Sequence, residues 1–250
     1  EKVRVLLDWF VNPDHAALVI ARERGFFAKQ GLDVELIAPA DPNAPPKLVA
    51  AGQAEYAVSY QPTLQMLVAE GLPLVRVGVL VAQPLNALVA LENGPVKTIA
   101  DLKGRKVGYS IAGFEEALLA AMLETAGLTT KDVTLVNVNF ALTTALMSQQ
   151  VDGVIGAFRN FELNDLALHR AAGRLWPVEQ YGVPTYDELI LVAGRDKLDV
   201  PRTRKLLAAL AESTAWLKAN SDDTAFADFL VKRGLIKQAP PLDSYLREIR

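Results

Sequence analysis

The chain has 250 residues, 51% of them hydrophobic and 22% charged, enough to bury one large core or two smaller ones. Its net charge is −3, with 26 Lys and Arg against 29 Asp and Glu, so no basic excess argues for nucleic acid. Cysteine is absent, which excludes disulfides, thiol catalysis and cysteine–metal sites, and no run of ~18 apolar residues is present to span a membrane.

The lack of thiols fits an oxidising compartment. Only two histidines occur, His15 and His169, far apart in the chain. A zinc site built on them would need distant carboxylates, so neither a metal nor a cofactor is expected. The first residue is Glu1 rather than Met. The expectation is a processed chain from which a signal peptide has been removed.

In chain order, Val3, Val5 and Leu7 alternate with Lys2, Arg4 and Leu6 as in a strand. Pro13 suits the first position of a helix, with Asn12 or Asp14 near its cap and Gly25 as its stop. LDVELI, from Leu32 to Ile37, reads as a second strand. DPNAPP opens a helix that ends near Gly52. Tyr56 to Ser59 is a strand, Pro62 opens a helix ending at Gly71, and Leu74 to Leu80 is a strand.

After Gly94-Pro95 the pattern restarts. A helical turn from Thr98 leads through Gly104 to a strand from Lys106 to Tyr109. Helices are expected from Phe114 to Ala126, Ala141 to Gln150 and Asn160 to Ala172, with strands Val133 to Val136 and Val154 to Phe158 between them. Glu188 to Ala193 is a strand, Pro201 to Asn220 a long helix, and further helical segments run to Arg250. Strands alternating with helices imply parallel sheet, and the restart implies two α/β lobes.

The stretch LDWFVNPDHAAL, ending at Leu18, combines groups that neither a core nor a loop wants together. A core does not want Asp8, and a solvated loop does not want Trp9 and Phe10. A pocket that stacks a flat polar ligand wants all three; a strand end with a capping Asp and a packed Trp is the other reading. Ligands in open α/β sheets bind beyond the C-terminal ends of strands. Asp8-Trp9, Tyr60-Gln61, Ser110 and Phe158 to Asn160 all follow expected strands. The loop from Ser110 to Gly113 precedes a helix, and free N–H groups there attract anions. Glu115 and Glu116 in the first turn, with no Lys or Arg in the loop, argue instead for a neutral or cationic ligand. Trp176 and Trp216 read as packing residues.

LDWFVNPDHAALVIARERGFFAKQGLDVEL, AAGQAEYAVSYQP, DLKGRKVGYS, VDGVIGAFRNFE and YGVPTYDELILVA occur in that order. Together they resemble the periplasmic solute-binding proteins of the thiamine-pyrimidine-precursor branch (ThiY-like). These share a superfamily with sulfonate and nitrate binders and with the yeast pyrimidine synthase. The resemblance implies a type II periplasmic-binding-protein fold of two lobes, each a mainly parallel sheet flanked by helices. Lobe 1 would be residues 1–88 plus 189–250 and lobe 2 residues 89–188, with hinges near Leu88 and Glu188 and the ligand in the cleft between them.

It further implies a monomeric receptor, periplasmic or lipid-anchored outside the cell, that hands a small molecule to the membrane permease of an ABC importer. The ligand would be an aminopyrimidine of the hydroxymethyl or formylamino type. Asp8 would accept from its amino group, since charged hydrogen bonds are about twice as strong as neutral ones. Trp9 would stack on the ring, worth roughly 0.5–1.5 kcal/mol beyond area burial. Glu162 would face the pyrimidine from the other lobe, against the plainer reading of an exposed helical Glu. Tyr60 would be a second stacking face and Gln61 a flexible polar contact. Asn12 and His15 would flank the entrance, Ser110 and Gly113 would supply hydrogen bonds, and Phe158 and Tyr186 would line the cleft. Asp187 and Glu188 would serve the hinge or face solvent.

The resembling synthase is an enzyme that holds pyridoxal phosphate on a lysine and draws ring atoms from a histidine. Here Ser59 stands about where that lysine would be and Thr63 about where the histidine would be. Without the lysine no Schiff base forms. Binding without turnover is therefore expected. A receptor for another solute (riboflavin, a sulfonate or nitrate-like anion, an aromatic compound) and a synthase-like enzyme stay open.

Overall fold

The structure, a computed structural model, describes residues 1–220. The chain divides into two compact units. The first comprises Glu1–Ala40, Ala44–Val81 and the chain from Leu189 onward; the second comprises Asp41–Asn43 and Ala82–Glu188. The helical segments expected after Asn220 lie outside the described residues. No helix among the described residues is long and apolar enough to cross a membrane.

The first unit opens with β1 (Lys2–Leu6), a 3-10 turn (Pro13–His15), α1 (Ala16–Glu23), α2 (Phe26–Lys29) and β2 (Asp33–Ile37). It continues with α3 (Pro45–Ala50), β3 (Tyr56–Ser59), α4 (Gln61–Ala69) and β4 (Leu74–Val81). The second unit holds β5 (Asn86–Leu91), β6 (Lys106–Tyr109), α5 (Phe114–Glu124), β7 (Thr134–Asn137), α6 (Leu142–Met147), β8 (Gly153–Phe158), α7 (Glu162–Leu168) and β9 (Gly173–Pro177). The chain then returns to the first unit with β10 (Leu189–Gly194) and α8 (Val200–Ala219).

Each unit is built on one five-stranded sheet, in the orders β2-β1-β3-β10-β4 and β7-β6-β8-β5-β9. In the first, β1 pairs parallel with β2 and β3, whereas β10 runs antiparallel to β3 and β4. In the second, β6 pairs parallel with β7 and β8, whereas β5 runs antiparallel to β8 and β9. Both sheets are therefore mixed, where mainly parallel sheets were expected. Strands β5 and β9 have no counterpart among the expected elements, and the helix expected from Asn160 to Ala172 gives way to α7 with β9 starting at Gly173. Leu88, expected as a crossover, lies within β5 opposite Trp176, because the chain enters the second unit at Ala82.

One face of the first sheet packs Leu6, Ala57, Ile190 and Val192 with Val49, Leu67 and Leu74 into an apolar cluster. Each of the Leu, Ile and Val side chains among them, fully buried, contributes roughly 1.5–3 kcal/mol. On the same strand, Tyr56 hydrogen-bonds Thr203 of α8 at 2.8 Å. Helix α8 starts on the Asp199 cap, which accepts the Arg202 N–H at 2.9 Å. It packs on α1, where Ser213 Oγ donates to the Ala17 carbonyl at 2.7 Å and the Arg24 guanidinium lies 3.9 Å over the Trp216 ring. Trp176 is buried on β9. These contacts leave the C-terminal ends of β1 and β3 to carry polar residues.

Candidate functional site

In the first unit Asp8 lies just past the end of β1 and is only 3% exposed. Both of its oxygens are held by side chains. Tyr60 Oη donates to Oδ2 at 2.8 Å, and His15 Nε2 lies 2.8 Å from Oδ1. The imidazole is itself fixed by the local fold. Asn12 caps the turn that begins at Pro13: its side chain accepts the Asp14 N–H at 2.9 Å, and its own N–H donates to His15 Nδ1 at 3.3 Å. Because Nδ1 accepts, the ring proton sits on Nε2 and is directed at Asp8.

This network brings together Asp8, Asn12, His15 and Tyr60 of the expected residues. Asn12 and His15 are buried rather than at an entrance, and both ring nitrogens of His15 are engaged. His15 therefore positions Asp8. Tyr60 is buried, and its hydroxyl holds the same carboxylate. An ionised carboxylate offers about four lone-pair sites, so two bonds leave acceptor capacity on Asp8. Trp9 is 8% exposed beside it, with the Phe10 ring centroid 5.6 Å from its own and tilted by 49°. Gln61 opens α4 and is half-buried.

In the second unit the loop from Ser110 to Gly113 has its N–H groups occupied from within. Glu115 Oε2 accepts from Ser110 N at 2.6 Å and from Ile111 N at 3.1 Å. Ala112 N donates to Asn43 Oδ1 at 3.0 Å, and Gly113 N to Glu116 Oε2 at 2.7 Å. The Ser110 hydroxyl donates to the Asn139 carbonyl, and the Ser110 carbonyl accepts from Asn43 Nδ2 at 3.1 Å. Ser110 and Gly113 thus spend these groups inside the unit.

Glu115 is the residue whose burial the sequence left unnoticed. Burial pushes its carboxyl up to about 8; the Ser110 and Ile111 N–H groups oppose that rise, and the charges of Glu188 and Glu116 add to it. It lies against Gly156, where φ is +97° and a Cβ would fall 2.3 Å from Glu115 Oε1. Only glycine fits that backbone and that approach.

Glu188, expected at the hinge or in solvent, is 0% exposed. Its Oε2 accepts from Leu85 N at 2.7 Å, Asn86 N at 2.9 Å and Tyr186 Oη at 2.9 Å. Burial and the adjacent Glu188 push the Tyr186 hydroxyl above its ordinary range, so it stays a donor. The Tyr186 ring meets Phe114 edge-on at 5.7 Å. Glu162, at the start of α7, is 5% exposed rather than solvated, and it accepts the Phe158 N–H at 2.6 Å.

A family model described as NMT1/THI5 like matches residues 12–224. The chain belongs to the NMT1/THI5 like family. Within this NMT1/THI5 like group, a protein of Haemophilus influenzae named as a thiamine biosynthesis protein is 56% identical over 223 residues, 89% of this chain and 71% of that one. A formylaminopyrimidine-binding protein of Halalkalibacterium halodurans is 35% identical over 227 residues, 89% of this chain and 68% of that one. More distantly, a 4-amino-5-hydroxymethyl-2-methylpyrimidine phosphate synthase of Legionella pneumophila is 27% identical over 165 residues, 66% of this chain and 52% of that protein. Among solved structures, the alkanesulfonate-binding protein SsuA of Xanthomonas axonopodis pv. citri, bound to MOPS, matches with a TM-score of 0.76. The identity is 16%, over 98% of this chain and 81% of that one. The NMT1/THI5 like chain therefore has the fold of the type II periplasmic binding proteins, with mixed sheets flanked by helices.

Proposed function

We propose that this chain is the solute-binding receptor of an ABC importer, working outside the cytoplasmic membrane. Its ligand is a neutral or cationic thiamine-precursor aminopyrimidine of the hydroxymethyl or formylamino type. The observation that carries the reading is Asp8: a buried carboxylate anchored on each oxygen and set beside a tryptophan. An exocyclic amino group donates to such a carboxylate, and the indole stacks on the ring. The pyrimidine relative, at 35% identity, supports the same ligand class.

A sulfonate, like that bound by the fold relative, needs unspent donors. Loop 110–113 has spent its N–H groups on Glu115, Glu116 and Asn43. We read the protein as a binder without turnover. Both nitrogens of the buried His15 are committed, so it is no general base, and Ser59 offers no amine for a Schiff base.

Titration of the protein with the hydroxymethyl and formylamino pyrimidines, followed by calorimetry and tryptophan fluorescence, tests this. Saturable binding is expected, and Asp8→Ala and Trp9→Ala should each weaken it at least tenfold, about 1.4 kcal/mol. Titration curves identical in both variants would reject the assignment.

A further inference from the structure

Two buried hydroxyls of the first unit have no hydrogen-bond partner among the described residues: Ser59 Oγ and Thr63 Oγ1. Ser59 is the last residue of β3 and 2% exposed. Its strand neighbours are apolar, with Ala57 in the core cluster and Ile190 directly opposite on β10. A buried hydroxyl without a partner is costly, and folds seldom keep one without a use.

Thr63 sits in the first turn of α4. A helical threonine can return its hydroxyl to the carbonyl four residues back. Thr203 and Thr214 do so in this chain, at 2.7 Å to the Asp199 carbonyl and 2.9 Å to the Leu210 carbonyl. Thr63 does not.

The strand register sets Ser59 at the level of Asp8, and Thr63 follows in the first turn of the helix that Tyr60 caps. Val5 pairs with Tyr56 and Leu6 with Ala57. Carried past the ladder, that register brings Asp8 level with Ser59. Tyr60, the next residue, hydrogen-bonds Asp8.

We infer that Ser59 and Thr63 are specificity-determining contacts that hydrogen-bond the ring-nitrogen edge of the pyrimidine while Asp8 takes its amino group. The chemistry is complementary. An aminopyrimidine sets an N–H donor beside a ring-nitrogen acceptor. A carboxylate answers the donor but cannot serve the acceptor, whereas a hydroxyl can donate to it. The inference rests on the pyrimidine reading above and names the groups that recognise the second edge of the ring.

The test compares wild type, Ser59→Ala and Thr63→Val in two measurements: affinity for the hydroxymethyl aminopyrimidine, and the melting temperature of the ligand-free protein. Each variant is expected to bind about tenfold more weakly, with a ligand-free melting temperature equal to or above that of wild type. Loss of affinity without loss of stability separates a ligand contact from an internal one. Unchanged affinity in both variants, with wild type binding, overturns the inference and leaves the pyrimidine reading standing. A lower ligand-free melting temperature in both overturns it too, since the hydroxyls then serve the fold. Wild type that binds no pyrimidine removes both readings together.

Discussion

The two units bury acids in opposite ways. In the first, Asp8 is held by side chains, the His15 imidazole and the Tyr60 hydroxyl. In the second, Glu115, Glu162 and Glu188 accept from backbone: the N–H groups of Ser110 and Ile111, of Phe158, and of Leu85 and Asn86. A carboxylate on backbone N–H groups is a fastener, because its loss strands donors that no rotamer can redirect. A carboxylate on side chains is oriented by groups that can adjust. Under the proposed function recognition falls to Asp8, while Glu115 and Glu188 serve the integrity of their unit, and each assignment can be broken.

The largest effect expected is pH-dependent and falls on Glu115. Its carboxyl keeps a proton up to about pH 8 in the folded chain, against 4.5 for an ordinary glutamate. Between those values folding takes up a proton, so this residue's contribution to stability declines as pH rises through the window. Glu115→Gln removes the titration and keeps an acceptor for the Ser110 and Ile111 N–H groups. The variant should gain on wild type by up to ~1.4 kcal/mol per pH unit across the window and no further above it. Parallel melting curves from pH 5 to pH 8.5 check this. A constant offset between the two proteins would show that the site does not titrate there.

Next is Glu188→Ala. It leaves the N–H groups of Leu85 and Asn86 and the Tyr186 hydroxyl without their acceptor around a side chain that is itself 0% exposed. Unsatisfied buried donors cost about 1–3 kcal/mol each, and neighbouring losses do not simply add, so about 3 kcal/mol is expected. The reading is the shift in urea midpoint. A variant as stable as wild type would end the description of Glu188 as a fastener.

Why Asp8 was legible and Glu188 was not follows from where their partners stand. Asp8, Trp9, Asn12 and His15 lie within one short stretch whose mix of residue types is odd by itself. The Leu85 and Asn86 N–H groups that hold Glu188 lie 103 and 102 residues away, and no local pattern announces them. Glu115 was misjudged for a related reason. An acid in a first helical turn reads as a solvated partner of the helix dipole, whereas loop 110–111 folds back onto this one and Gly156 of β8 closes on it.

The strands show the same divide. Tyr56–Ser59 and Lys106–Tyr109 match their expected limits because turn residues bracket them. NALVAL of β5 lacks a two-residue alternation, being buried on both faces, and its antiparallel pairing with β8 and β9 depends on chain far downstream. Periodicity marks faces; it carries no information on strand direction.

The smallest expected effect sharpens the comparison most. His15→Ala removes the donor to Asp8 Oδ1 and the acceptor of the Asn12 N–H. If the cluster were a fastener like Glu188, stability would drop as steeply as it does there. Because Tyr60 still holds Oδ2, and water can enter the space left by the imidazole, about 1 kcal/mol of stability is expected to be lost. Pyrimidine affinity should fall roughly threefold to tenfold, the cost of a carboxylate no longer held in one orientation. His15→Gln, which can still donate toward Oδ1, should recover part of that affinity. Equal affinities for wild type and both variants would mean that His15 serves only the turn at Pro13. The side-chain-held acid of the first unit would then be as purely structural as those of the second.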